Sequence, residues 1–189
     1  KVLTCREVLD TARLAPPKTC KDGKRPYEMV WANRRADEMP PVDRLESGAG
    51  WKTECTDAAA KVSSANDRLL FGDGTLRLDY RATGAKPVVK FLREQPLKLP
   101  KFDTFSVWIY GNNFYGRAPK DTPMTHLAAD FVDADGKPFS FRVSTILHRE
   151  WCKFQMKVPA EMRERALKGG CSFTGFTLTG GKNKEDRRL

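Results

Sequence analysis

From about residue 45 onward the chain alternates apolar and polar side chains with a period of two. Leu76, Leu78 and Tyr80 interleave with Arg77, Asp79 and Arg81, and Phe105, Val107 and Ile109 with Ser106, Trp108 and Tyr110. The same rhythm sets Phe139, Phe141 and Val143 against Ser140 and Arg142, and Phe154, Met156 and Val158 against Lys153, Gln155 and Lys157. A period of two puts each apolar set on one face of a strand. Turn-forming stretches separate the runs: Gly72-Asp73-Gly74, 82–86, Asp133-Ala134-Asp135-Gly136 and Gly169-Gly170. Short strands with one apolar face at this spacing predict an all-β fold, a two-sheet antiparallel sandwich. Helix is predicted only over 160–168, behind Pro159, with a second candidate over 4–14.

Residues 1–44 lack this pattern. Pro16-Pro17, Pro26 and Pro40-Pro41 punctuate a basic stretch whose one apolar island is 27–32, so it reads as an irregular arm that packs onto a domain. The organisation expected is an N-terminal arm over 1–44, a sandwich domain over 45–181 and a basic tail over 182–189.

Alternation also sorts the aromatic residues. With Phe105, Val107 and Ile109 facing the core, Trp108 and Tyr110 face the other way, beside Ser106. Along 151–158 the same logic turns Cys152, Phe154 and Met156 inward and Trp151 outward, in line with Lys153 and Gln155. Flat rings on a sheet surface suit the C–H faces of sugars, while nearby amides and cations hydrogen-bond hydroxyls or carboxylates. Asn112, Asn113, Tyr115 and Arg117, in the loop that follows Tyr110, are the polar candidates at its rim. The competing reading is that the arm, with Tyr27, Met29 and Trp31, or another domain covers these rings. Trp51 is expected to pack near the first strand.

Thirty-four Lys and Arg against 24 Asp and Glu leave a formal charge of +10, which favours anionic partners such as nucleic acid or an acidic polysaccharide. The basic residues are dispersed, which makes a charge-driven nucleic-acid binder the weakest reading. No apolar run reaches the ~18 residues of a membrane-spanning helix, so no membrane partner is expected. Lys1 is not an initiator Met, and 2–14 lacks the basic-then-apolar order of a signal peptide, so a mature or trimmed chain is expected.

Five cysteines contain no C-x-x-C, and two histidines complete a poor zinc inventory. Cys5 and Cys20 flank a Pro-containing polar segment and can close a short loop, a link worth about 3 kcal/mol in an oxidising compartment. Cys152 and Cys171 sit in apolar contexts and read as core residues. Asp133-Ala134-Asp135-Gly136 opens like a calcium loop, but Pro138 and Ser140 follow where ligands are needed, and an Asp-Gly hairpin turn is the better reading. Asp79, Asp130 and Glu150 are carboxylates in or beside strands, yet no acid–base pair can be assembled from them by spacing. No nucleophile elbow, Walker loop or H-E-x-x-H occurs, so catalysis within the chain is not expected.

Six segments in order carry a family resemblance: L-E-S-G-A-G-W at 45–51, taken as the first strand; G-T-L-R-L-D-Y-R at 74–81; F-D-T-F-S-V-W-I-Y-G-N-N at 102–113; D-F-V-D-A-D-G-K at 130–137; E-W-C-K-F-Q-M-K-V-P at 150–159; and F-T-G-F-T-L-T-G-G at 173–181. From roughly 42 to 181 the chain resembles the galactose-binding-like jelly rolls, which include many carbohydrate-binding modules of large polysaccharide-degrading enzymes. The resemblance implies a jelly-roll sandwich and a structural calcium held in part by Glu46. It also implies a last strand, often acidic, beside the first. Here 184–189 reads K-E-D-R-R-L, so that strand is expected to be missing and supplied by a following domain or a partner chain. The function expected is a non-catalytic carbohydrate-binding-like module at the N-terminal end of a larger exported carbohydrate-active protein, secreted, periplasmic or at the cell surface. Trp108, Tyr110 and Trp151 would stack on a polysaccharide or oligosaccharide, with the net charge favouring an acidic one, and Asn112, Asn113, Tyr115, Arg117 and Lys153 would supply polar contacts. A structural domain that docks on a catalytic partner without binding sugar stands beside it.

Overall fold

The computed structural model describes residues 41–70, 72–111, 123–181 and 186–189. Among the described residues ten strands and one helix follow in order: β1 (Trp51–Thr56), β2 (Ala58–Ala65), β3 (Thr75–Ala82), β4 (Val88–Lys98), β5 (Thr104–Tyr110), β6 (Thr125–Val132), β7 (Pro138–Thr145), β8 (Trp151–Lys157), α1 (Ala160–Lys168), β9 (Ser172–Gly180) and β10 (Asp186–Arg188). The chain is an antiparallel β-sandwich. One layer is a five-stranded sheet in the order β1-β4-β9-β6-β7; the other is split into two separate ladders, β10-β3-β2 and β5-β8. The helix candidate over 4–14 and the Cys5–Cys20 loop lie outside the described residues.

The apolar half of each alternating strand meets in one core. Leu78 and Tyr80 of β3, Ile109 of β5, Phe131 of β6, Phe139 and Phe141 of β7 and Phe173 and Phe176 of β9 are all buried there. Phe131, 1 % exposed, stacks on Phe139 and Phe141 at 5.1 Å each. Phe105 of the opposite layer stands edge-on to it at 5.6 Å, so this ring contact locks the β5-β8 ladder onto the large sheet. Trp51 joins the same core, stacked on Phe176, with the Arg93 guanidinium 5.2 Å over its ring.

Two backbone devices make the layering possible. Asp57, alone between β1 and β2, adopts φ 49°, and its carbonyl accepts the Thr83 and Gly84 amides, so the chain turns from one layer to the other in a single residue. In β9, Gly175 has φ 145°, and a Cβ there would lie 2.3 Å from the Phe91 carbonyl oxygen. A side chain at this register shift would force β4 and β9 apart.

The turn at 133–136 is a hairpin between β6 and β7. Asp133 keeps 7 % of its side chain exposed and accepts the Asp135 and Lys137 amides at 3.0 and 2.8 Å and Arg165 Nε of α1 at 2.7 Å. Arg165 also lies 4.6 Å over the Phe139 ring and donates to the Lys137 carbonyl. This clamp seats α1, which buries Ala166 and ends at Gly169, φ 86°.

Two expectations are corrected. The segment 45–51 is not the first strand; β1 begins at Trp51, where its ring enters the core. The C-terminal tail is not strandless: Asp186–Arg188 pairs antiparallel with β3, and Leu189 exchanges both backbone hydrogen bonds with Leu78 at 2.8 and 2.9 Å. The edge of β3 holds this short strand because Leu78 and Tyr80 aim their backbone groups away from β2.

Two outcomes test this packing. Phe131→Ala is expected to cost about 3–5 kcal/mol in chemical denaturation. The Lys137 amide above all, then the Arg165 guanidinium, hold the Asp133 carboxyl below the usual range against the opposing effect of burial. Its stabilisation is therefore present above the unfolded value of about 3.9 and lost as pH falls through the lower folded value. Asp133→Asn is expected to lower Tm at pH 7, and its deficit relative to the native chain to shrink below about pH 4.

Candidate functional site

The β5-β8 register decides which side chains share a surface. Tyr110 lies opposite Trp151, Trp108 opposite Lys153, Ser106 opposite Gln155 and Thr104 opposite Lys157. With Phe105 and Val107 packed against the core, these pairs form the outward face of the ladder. Trp108, Tyr110 and Trp151 are half-buried and Lys153 is exposed. The Tyr110 and Trp151 rings meet edge to face at 5.7 Å. Arg68, from the segment between β2 and β3, adds its guanidinium 5.7 Å over the Tyr110 ring, a contact that no local pattern announces.

Four of the sequence-derived candidates, Trp108, Tyr110, Trp151 and Lys153, therefore come together on one surface. Asn112, Asn113, Tyr115 and Arg117 lie outside the described residues. Gly111, the last described residue before them, lies beside His148, whose Nε2–H donates to the Ile109 carbonyl at 3.2 Å and whose ring lies 5.2 Å from Phe154.

Charge is distributed unevenly over the second layer. On the β10-β3-β2 ladder, Arg77 pairs with Asp79, and Arg188 with Asp79 and Asp67. Lys153 and Lys157 have no carboxylate partner among the described residues. Arg77 and Arg188 of one ladder are thus paired with carboxylates, while Lys153 and Lys157, on the face that carries Trp108, have none among the described residues.

Among the described residues no strand joins the two ladders of the second layer. A cavity of about 490 Å³ between them is lined by Phe91, Leu127, Phe173 and Phe176 of the large sheet and by Trp108, Tyr110 and Trp151. A separate polar surface covers the outside of the five-stranded sheet. There Asp130 accepts from the Thr177 hydroxyl at 2.6 Å, and Arg142 donates to His126 Nδ1 at 2.5 Å. Burial pushes the Asp130 carboxyl up, opposed by the Thr177 hydrogen bond and Lys90. This surface was missed from sequence because its residues come from strands distant in the chain.

Glu46 lies 3.6 Å from the Arg44 guanidinium in a shallow depression with Ser64, Asn66 and Asp73. Among the described residues no three His, Cys, Asp or Glu side chains come together to hold a metal. Cys55, Cys152 and Cys171 are free thiols, and burial pushes each of them up, so none is a nucleophile prepared by its surroundings.

Neither the protein-family models nor the curated proteins give a match to this chain. Solved structures do. One, from a study of promiscuous specificity in carbohydrate-binding modules of the β-sandwich superfamily, shares 10 % identity over 74 % of this chain and 53 % of its own, with a TM-score of 0.49. A family 61 module solved with β-1,4-galactotriose shares 16 % over 76 % and 85 %, with 0.44. A family 22 module joined to a family 10 xylanase from Clostridium thermocellum, solved with xylohexaose, shares 13 % over 76 % and 25 %, with 0.38. The chain is similar to β-sandwich carbohydrate-binding modules. It spans about half the length of the first structure. At these identities and scores the ligands of the three do not transfer to it.

Desolvation lowers the pKa of His148, against the Ile109 carbonyl and Glu150, and desolvation with Arg142 lowers that of His126. NMR titration is expected to give both midpoints below 6.5. Because the folded values are depressed, their contribution to stability is intact above about pH 6.5 and is lost as pH falls from there through the folded values.

Proposed function

We propose that this chain is a non-catalytic module that binds an oligosaccharide on the outward face of the β5-β8 ladder. The observation that carries the reading is the pairing of Tyr110 with Trp151 and of Trp108 with Lys153 in adjacent registers. Two aromatic steps side by side offer platforms for consecutive sugar rings, and the polar neighbours sit at their edges. Trp108 and Trp151 stack on the ligand, Tyr110 is held in position by Trp151 and Arg68, and Asn112, Asn113, Tyr115 and Arg117, close behind Tyr110 in sequence, supply hydrogen bonds. Lys153 and Lys157, without carboxylate partners among the described residues, favour a glycan bearing carboxylates over a neutral one. The same neutralisation of Arg77 and Arg188 by Asp67 and Asp79 argues against a continuous basic stripe for nucleic acid. The setting we propose is a larger exported protein with a carbohydrate-active partner domain.

Calorimetric titration of uronate-containing and neutral oligosaccharides tests the reading. Stacking contributes about 0.5–1.5 kcal/mol per ring, so Trp108→Ala and Trp151→Ala are each expected to weaken binding by up to about tenfold with little change in Tm. Lys153→Gln is expected to remove most of the preference for the acidic ligand and its salt dependence. Absence of binding across the panel, together with a Trp108→Ala chain that is merely less stable, would sink the proposal.

A further inference from the structure

Among the described residues five cations line the cavity between the ladders: Arg44, Arg68, Arg77, Lys153 and Arg188. Three of them are matched by carboxylates. Arg44 faces Glu46 at 3.6 Å, Arg77 pairs with Asp79 at 2.8 Å, and Arg188 pairs with Asp67 at 3.0 Å and with Asp79 at 3.4 Å. The two acids of the described lining are engaged as well, Asp43 by Arg93 and Asp67 by Arg188. Arg68 and Lys153 are left without a carboxylate among the described residues, and both belong to the aromatic end of the cavity. Lys153 follows Trp151 on the outward face of β8, about 7 Å along the strand, and Arg68 lies over Tyr110, which stands opposite Trp151.

The fold fixes where Arg68 stands. Asp67 before it is tied to Arg188 of β10, and Leu70 after it is buried. Between these anchors the guanidinium lies 5.7 Å over the Tyr110 ring, and that ring contact is the interaction Arg68 makes among the described residues. A guanidinium set over a ring loses water on that side, while its N–H donors stay able to fork onto the two oxygens of a carboxylate. A lysine ammonium offers charge without the fork.

We infer that Arg68 is the specificity-determining residue of this face. Its guanidinium forks onto the carboxylate of a uronic acid unit whose ring stacks on Trp151, and Lys153 faces the same carboxylate from the next outward position of β8. The inference rests on the sugar-binding reading and deepens it: Lys153 contributes charge, and Arg68 contributes geometry. Because Arg68 belongs to the connection between β2 and β3, the carboxylate is held between groups that come from both ladders of the second layer.

Calorimetric titration of the full chain with the trisaccharides of galacturonate and of glucuronate, each beside its methyl ester, separates the carboxylate from the ring. The native chain is expected to prefer the acid. Arg68→Gln is expected to weaken binding of the acid about tenfold and to leave the ester unchanged, with Tm unaltered because Arg68 is exposed. Arg68→Lys keeps the charge but not the fork and is expected to recover little of the loss. Tyr110→Leu, which removes the ring under the guanidinium, is expected to lower the acid-to-ester ratio about two- to fivefold. With one carboxylate shared by two cations, adding Lys153→Gln to Arg68→Gln is expected to cost little more than either change alone. Equal affinity for acid and ester, or a preference that survives Arg68→Gln, would overturn the inference and leave sugar binding standing. Full preference in Arg68→Lys, or losses that simply add in the double variant, would overturn it in favour of net charge alone. A native chain that binds neither acids nor esters would remove both readings.

Discussion

The inner face of the five-stranded sheet presents Phe91, Phe131, Phe139, Phe141, Phe173 and Phe176, and the architecture depends on covering those rings. Phe131 sits at the centre of the contacts, and Phe105 reaches it from the opposite layer at 5.6 Å with a nearly perpendicular ring. Edge-to-face geometry of this kind fixes a relative orientation as well as a distance. Because Phe105 is held in this way, β5 has its other face turned outward with little freedom to twist, and the positions of Trp108 and Tyr110 follow from the core rather than from any contact of their own.

The split in the second layer follows from the same arrangement. The β5-β8 ladder is anchored at the Phe131 end, through Phe105, Phe154 and Met156. The β10-β3-β2 ladder is anchored through Leu78 and Tyr80 and by the corner at Asp57. Each ladder is seated independently, and no described strand joins them. Charge follows the division. On the ladder with β3, Arg77 and Arg188 are matched with Asp79 and Asp67, whereas Lys153 and Lys157 on the aromatic face have no carboxylate among the described residues, so unpaired cations and aromatic rings share that face.

Much of this was legible in the chain. A period of two assigned inward and outward sides to β3, β5, β7 and β8 because hydrophobic side chains on a half-buried strand must share a face. The helix at 160–168 was legible from Pro159 and the Gly pair that ends it. Other elements were not. Strand β4 contains Pro96 and the run Arg93-Glu94-Gln95, which breaks the alternation, and the structure accommodates them at a register shift between Leu92 and Leu97. Strand β2 is written in Ala and Ser, whose small side chains carry little pattern. The tail strand β10 is short and highly charged, and its strand geometry comes from the edge of β3.

For the candidate site the division is similar. Sequence determined that Trp108, Tyr110 and Trp151 face away from the core, since alternation is a local property of each strand. It could not determine that Tyr110 stands opposite Trp151 and Trp108 opposite Lys153, because register between strands some forty residues apart is set by how both pack on the large sheet. Nor could it bring Arg68 over Tyr110 or leave a groove between two ladders. Those are consequences of layer packing, in which each ladder satisfies its own core contacts first and the space between them is whatever remains.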